Sequence, residues 1–223
     1  MKIASIFKSI NGEVNSSHQG SICGFIRLAE CNCRCSYCDT KQYQEKKSGK
    51  DMNIKQILKA VDDFKCANVT ITGGEPLLQK QALKTLILEL RHTHKISIET
   101  NGSIRIPIDF PSDISWVIDY KCSSSNMKDK MKLSNFRGAR YNDFIKFVIA
   151  DRKDFDDAIS LITKVKDHRH DYHMLKWCFS PMFNEGKPSI KTKELLRWIY
   201  DEELLRQCSP IINVQIHKIL NIE

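Results

Sequence analysis

The stretch ICGFIRLAECNCRCSYCDT, residues 22–40, sets the frame for the whole chain. Ile22 to Leu28 is a short apolar run suited to a buried strand, and it gives way at Ala29-Glu30 to a loop with four cysteines within eight residues. Outward from here the same pattern repeats: a β-rich run, polar punctuation, then apolar residues at helical spacing. Further strands are predicted over Val69 to Thr72, Lys95 to Glu99, Trp116 to Tyr120, Phe144 to Ile149, Met174 to Phe179 and Ile211 to Ile216. Between them Ile54, Ile57, Leu58, Val61 and Phe64 keep helical spacing, as do Leu83, Leu86, Ile87 and Leu90, then Phe155, Ala158, Ile159, Ile162 and Val165. A last helix is expected over Lys191 to Leu205. Such alternation specifies right-handed βαβ units and a mainly parallel sheet. No repeat, low-complexity stretch or linker divides the chain, so residues 1–223 are read as one α/β domain. That length falls slightly short of the about 250 residues of a complete eightfold barrel. An incomplete TIM-like β/α barrel is therefore predicted, with an open sheet as the alternative. In either, ligands collect at the C-terminal strand ends. Four polar loops fall there: Glu30 to Thr40, Gly73-Gly74-Glu75-Pro76, Glu99-Thr100-Asn101-Gly102 and Asp119 to Ser125.

With 41% apolar and 28% charged residues the chain reads as a soluble globular protein. Its formal charge of +8 favours anionic ligands without requiring nucleic acid, and none is expected. No run of about 18 apolar residues is present. The opening MKIASIFKSINGE lacks a signal-peptide core, so a cytoplasmic protein without a membrane partner is expected. Nine cysteines, an odd number in that compartment, argue against a disulfide framework. The spacing Cys31-x3-Cys35-x2-Cys38 offers three thiolates from one loop, which suits an iron-sulfur cubane with one iron left open to a chelating amino acid. A four-cysteine zinc knot using Cys33 is the alternative, although zinc sites usually pair two C-x2-C units. Gly73 and Gly74 allow close approach of backbone to a ligand, and the Glu75 carboxylate matches a cationic amine; a plain strand-to-helix turn would use the same residues. His168, His170 and His173 fall in a polar stretch after a helix and are read as a solvated loop rather than a metal site.

With these residues the chain resembles the radical S-adenosylmethionine (SAM) enzymes, whose signature is C-x3-C-x2-C with an aromatic residue, here Tyr37, before the last cysteine. A narrower resemblance, to the 7-carboxy-7-deazaguanine synthase family, covers most of the chain. It is carried by Ser9-Ile10-Asn11-Gly12-Glu13, Phe25-Ile26-Arg27-Leu28, Cys38-Asp39-Thr40, Glu99 to Gly102, Asp119-Tyr120-Lys121 with Ser123-Ser124-Ser125, Ile145 to Val148, and Gln215-Ile216-His217-Lys218, while Thr72 to Pro76 looks like the GGEP motif of the radical SAM enzymes at large.

The resemblance implies that Cys31, Cys35 and Cys38 hold a [4Fe-4S] cluster whose free iron binds SAM, with Cys33 a bystander. One electron then cleaves the sulfonium to a 5′-deoxyadenosyl radical, which takes a hydrogen atom from a carboxytetrahydropterin. Tyr37, Cys38, Asp39, Gly73, Gly74, Glu75, Glu99, Asn101, Asp119, Tyr120 and Lys121 are carried over as cofactor residues, Glu75 for the methionine ammonium. Ile10, Asn11, Gly12, Glu13, Arg27 and Thr72 are carried over as pterin residues, Glu13 for the amino-pyrimidine edge and Arg27 for the carboxylate. Thr40 would be a magnesium ligand. Taken alone, Arg27 could be a surface ion pair, Asn11-Gly12 a turn, Glu99 a loop cap and Thr40 a helix cap. A reductant such as a flavodoxin and a homodimer are also implied.

Three departures from the family pattern stand out. Val14 follows Glu13 where Gly-Glu-Gly is common, a proline common in the Ser-Ser segment is replaced to leave Cys122-Ser123-Ser124-Ser125, and Glu223 lies only a few residues past His217, which leaves open any substrate contact from that end. Two rivals also stand. A glycyl-radical activating enzyme would share the cysteine loop but does not require Ser9 to Glu13. A non-catalytic zinc or iron-sulfur module acting on RNA is favoured by the charge and opposed by the lack of aromatic residues among the basic ones.

Replacing Cys31, Cys35 or Cys38 singly by Ser is expected to abolish the visible charge-transfer absorbance of the reconstituted protein, since oxygen is a poorer iron-sulfur donor than thiolate. Cys33→Ser should keep it; equal loss in all four variants would point to a four-cysteine site.

Overall fold

The computed structural model describes residues 1–184 and 187–222. In chain order the strands are β1 (Lys2–Ile10), β2 (Ile22–Leu28), β3 (Lys50–Asp51), β4 (Asn68–Gly73), β5 (Lys95–Thr100), β6 (Ser115–Tyr120), β7 (Phe144–Ile149), β8 (Lys176–Pro181), β9 (Phe183–Asn184), β10 (Lys187–Pro188) and β11 (Ile211–Ile212). The helices are α1 (Ile54–Asp62), α2 (Lys80–Leu90), α3 (Leu133–Arg137), α4 (Arg152–Lys166), α5 (Thr192–Asp201) and α6 (Ile216–Leu220). Nine of the strands form one sheet in the order β11-β8-β7-β6-β5-β4-β2-β1-β3. From β2 to β11 every pairing is parallel, whereas β1 runs antiparallel to β2 and to β3. The expected incomplete barrel is therefore present, and it is not closed.

Three predicted elements need correction. The run predicted from Met174 starts as a strand at Lys176, because residues 170–174 form a 3-10 turn whose Tyr172 carbonyl accepts the Trp177 indole N–H at 2.9 Å. The run predicted over Ile211 to Ile216 is a strand for two residues, after which Asn213 turns inward and α6 begins at Ile216. The last predicted helix also stops early: α5 ends at Asp201, and the Glu202 carboxylate then caps a separate 3-10 turn at Leu204 N.

Side chains alternate across the sheet, and the two faces differ in chemistry. The convex face is apolar: Ile26, Leu28, Val69, Ile71, Ile96, Ile98, Trp116, Ile118, Ile145, Phe147, Trp177 and Phe179 are all buried in the main core with the apolar stripes of α1, α2 and α4. Helix α1 starts on a capping box in which Asn53 and Gln56 satisfy each other's backbone N–H at 2.9 Å. The concave face carries Arg27, Thr72, Glu99, Asp119 and Lys146 near the C-terminal strand ends. Below them, Val117, Phe144 and Cys178 form a second, small cluster around Val14. The 11–21 segment crosses this lower interior, with Asn15 donating to Thr70 Oγ1 at 3.4 Å and Ser16 pairing with Ser97 at 3.0 Å. Val14, the departure from Gly-Glu-Gly, is thus the apolar plug of the barrel.

Strand β4 must pass very close to β2 where it ends. Gly73 has φ +129°, and a Cβ there would lie 2.2 Å from the Leu28 carbonyl oxygen and 2.3 Å from its nitrogen. Gly73→Ala is expected to cost the backbone strain of about 1–3 kcal/mol plus this steric clash, read as a drop of several degrees or more in the thermal unfolding midpoint. An unchanged midpoint would show that the β2–β4 approach is not constrained as described.

Candidate active site

The C-terminal strand ends surround a cavity of about 250 Å³. Its wall includes the cysteine loop, with Cys31, Cys33, Cys35, Tyr37, Cys38, Asp39 and Thr40, together with the Gly73-Gly74 turn. Around the rest stand Ile10, Asn11, Gly12, Glu13, Arg27, Thr72, Glu99, Asn101, Asp119 and Lys121. Most of the residues proposed from sequence therefore share one cavity, and two do not. Tyr120 is one residue out of phase with Asp119 and Lys121, so its ring faces the convex core, edge-on to Phe136 and Phe147. Glu75 is fully buried behind the wall, where its carboxylate accepts from Leu77 N at 2.9 Å, Asn101 N at 2.8 Å and Thr100 Oγ1 at 2.9 and 3.0 Å. Burial outweighs these bonds and pushes its pKa up to about 7. Glu75 thus holds the Gly73–Pro76 and Thr100–Asn101 loops together, and at the cavity the former loop presents glycine backbone in place of the expected carboxylate.

The cysteine loop is held from several sides. Cys31 N donates to Gln44 O at 2.9 Å, Ser36 N donates to Ser125 O at 3.1 Å, and the Arg34 guanidinium folds back onto the carbonyls of Cys31 and Cys33 at 2.6 and 2.9 Å. Ser123 and Ser124, in the turn carrying Ser125, rest on α4: their amides donate to Asp157 and Asp154 at 2.8 and 2.9 Å. Asn101 Nδ2 reaches Cys31 Sγ at 3.7 Å, and Cys33 N reaches it at 3.4 Å. Hydrogen bonding from Cys33, ahead of the opposing burial, draws the Cys31 thiol down to about 6 and Cys35 to about 7, with Lys121 helping both. Those bonds and burial raise Cys33 itself well above the usual thiol range. Two acidified thiols beside Cys38, none of them in a disulfide, are a donor set that fits an iron-sulfur cluster. Buried Asp119 Oδ1 and Tyr37 OH, both without a hydrogen-bond partner among the described residues, fit a polar ligand next to it.

Thr40 stands at the start of the 3-10 turn Lys41–Tyr43 but makes no capping bond; its hydroxyl lies 3.7 Å from Cys38 Sγ in the cavity wall. Arg27 stacks over Phe7 and Tyr43, 5.1 and 5.6 Å from the ring centroids. Thr72 Oγ1 donates to Glu99 Oε2 at 2.6 Å.

Sequence reasoning missed the residue on which the charges converge. Lys146 Nζ lies 2.6 Å from Glu13 Oε2 and 3.2 Å from Asp119 Oδ2, while Lys121 pairs with Asp119 at 2.9 Å. A lysine inside the apolar run FIKFVI was the available signal, since a charge in a central strand needs a buried partner. Burial opposes ionisation of Glu13, but Lys146 prevails and holds it at about 2. Glu99, half-buried and without such direct pairing, is pushed up by desolvation. The two neighbouring carboxylates thus shift in opposite directions, Glu13 down and Glu99 up. Gln215, His217 and Lys218 also line the cavity, and Lys218 pairs with Asp39 at 3.0 Å. His168, His170 and His173 are exposed and line none of it.

Comparison with known proteins places these features. The family described as the radical SAM superfamily matches residues 26–112. A 7-carboxy-7-deazaguanine synthase of Clostridium acetobutylicum is 37% identical, with 98% of this chain and 95% of that protein aligned. One from Koribacter versatilis is 30% identical, covering 99% and 96%. The fold is that of the crystal structure of QueE from Escherichia coli, at a TM-score of 0.71 and 19% identity over 96% of this chain and 92% of that one.

Lys146→Met leaves Glu13 buried without its cation and is expected to cost about 3–5 kcal/mol near neutral pH. Because Glu13 is held at about 2 instead of its ordinary 4.5, the pair's contribution is complete above about pH 5 and fades as the pH falls through about 2. Unfolding midpoints of the native and Lys146→Met proteins should therefore converge on acidification over that range; a constant gap would exclude the pairing as its source.

Proposed function

The chain belongs to the 7-carboxy-7-deazaguanine synthase family of radical SAM enzymes, and we propose that it converts 6-carboxy-5,6,7,8-tetrahydropterin to 7-carboxy-7-deazaguanine with loss of ammonia, as a carbon-nitrogen lyase of 7-deazapurine (queuosine precursor) biosynthesis. The observation that carries this reading is a single cavity in which a three-cysteine loop faces a row of paired charged side chains centred on the buried Lys146. All of residues 1–223 act as one domain in this reading.

Cys31, Cys35 and Cys38 would hold the [4Fe-4S] cluster. With SAM bound, that centre supplies one-electron cleavage of the sulfonium and a hydrogen-abstracting radical. The protein's part is to bind, orient and exclude water. The backbone of Gly73 and Gly74, with Asn101 and Asp119, forms the cofactor side next to Tyr37, Asp39 and Lys121. Glu13, kept ionised by Lys146, is the acceptor for the amino-pyrimidine edge, and Arg27 is the donor fork for the carboxylate. Glu99, which accepts from Thr72 and has its pKa pushed up by desolvation, stands beside both. The Thr40 hydroxyl offers magnesium one oxygen; a hard dication needs about six, so substrate and water complete the shell. A flavodoxin-like acidic reductant suits a chain of charge +8, and a homodimer is the assembly we infer from the family.

An anaerobic assay with the reduced, cluster-loaded protein tests this. Many product molecules should form per SAM consumed, because the abstracted hydrogen returns at the end of each cycle. Magnesium should raise the rate, and Thr40→Val, nearly isosteric, should lose most of that stimulation while keeping the cluster absorbance. Product formed one-for-one with 5′-deoxyadenosine, or no product from the pterin, would overturn the reading.

A further inference from the structure

We propose that Asn213, a residue outside the cavity, is the positioning residue that fixes the Glu13 carboxylate for substrate. The inference rests on the reading of Glu13 as the acceptor for the pterin edge.

A carboxylate has about four lone-pair positions. On Glu13, Lys146 Nζ and Asn213 Nδ2 both donate to Oε2, at 2.6 and 3.2 Å, and Gln215 Nε2 donates to Oε1 at 2.6 Å. Oε2 is saturated, so one position on Oε1 remains for a ligand. Which way that position faces depends on what orients the carboxylate plane. Lys146 is a compact ammonium shared with Asp119 and sets charge rather than orientation. The planar amide of Asn213 sets orientation, and its own orientation is forced. Asn213 is fully buried and does not line the cavity. Its Oδ1 accepts from Val14 N at 3.0 Å and from Gln19 Nε2 at 3.5 Å, which only the carbonyl end can do. Its Nδ2 is thereby left for Glu13 and for Ser180 Oγ at 2.6 Å, with Ser180 also fully buried. A flipped amide would strand the Val14 N–H and set oxygen against the Glu13 carboxylate. Asn213 N in turn donates to Phe179 O at 2.9 Å, which ties the residue to β8. One amide therefore grips both the side chain of Glu13 and the peptide nitrogen that follows it.

The test is a double-mutant cycle between positions 13 and 213 in the cluster-loaded protein, reading KM and kcat for the carboxytetrahydropterin, with iron content and the thermal midpoint measured alongside. Asn213→Asp keeps the acceptor for Val14 N but places an acceptor against Glu13. It should raise KM about tenfold or more, with a smaller fall in kcat, a loss of at least one charge-assisted hydrogen bond. Introduced into Glu13→Gln, whose new amide can donate to the new carboxylate, the same change should cost much less. Asn213→Ser, which also loses reach to Glu13, gives the same KM effect if Asn213→Asp does not fold. Equal fold losses in both backgrounds, or an unchanged KM in an active variant, would overturn the role of Asn213. A native protein without pterin turnover would instead overturn the function on which it rests.

Discussion

Lys146 sits in the middle of a strand that is otherwise apolar and buried, and a lysine there is tolerated only with carboxylates in contact. Glu13 meets that need from the segment after β1, and Asp119 from the end of the neighbouring strand β6. The pairing draws the 11–21 segment across the open barrel and holds the end of β6 against β7. Much of the cavity follows from that one demand: the inward segment supplies its floor, and the Asp119–Lys121 strand end supplies the wall facing the cysteines. A charge pair of this kind adds little net stability over an apolar isostere, and its value lies in fixing which segments meet.

The fold was legible wherever a strand is buried on both faces. Ile22–Leu28 and Phe144–Ile149 read correctly to the residue, because continuous apolar runs mark central parallel strands. β1 escaped notice. Its residues KIASIFKSI mix polar and apolar positions without a continuous run, and its antiparallel place near the sheet edge leaves most of them half-exposed. The end of the chain misread for another reason: Ile211 to Ile216 has strand composition, but Asn213 must leave the ladder to serve Val14, Ser180 and Glu13.

Legibility of the site divided along the same lines. Residues in short loops after strands, such as Cys31 to Thr40 and Gly73-Gly74, could be grouped because the loops share one end of the sheet. The family resemblance groups Tyr120 and Glu75 with them, yet strand alternation turns Tyr120 to the core, and Glu75 satisfies backbone amides behind the wall. Lys146, Asn213 and Gln215 reach Glu13 across 133 to 202 residues of chain, a relation that no local spacing records.

Those separations also bear on how the protein is made. Gly12 packs so tightly under His217 that a Cβ on it would lie 1.9 Å from the imidazole Nδ1, and Gly12 O accepts from Ile216 N at 3.0 Å. Closing so long a loop is entropically costly and comes late in folding. On the ribosome, the cysteine loop and most of the parallel sheet can form while the chain is still growing, but Glu13 has no Asn213 or Gln215 until the chain has emerged about 200 residues further on. A nascent or truncated chain would thus present the proposed cluster ligands without an organised cavity floor, so that formation of the cysteine loop is structurally separable from completion of the pocket.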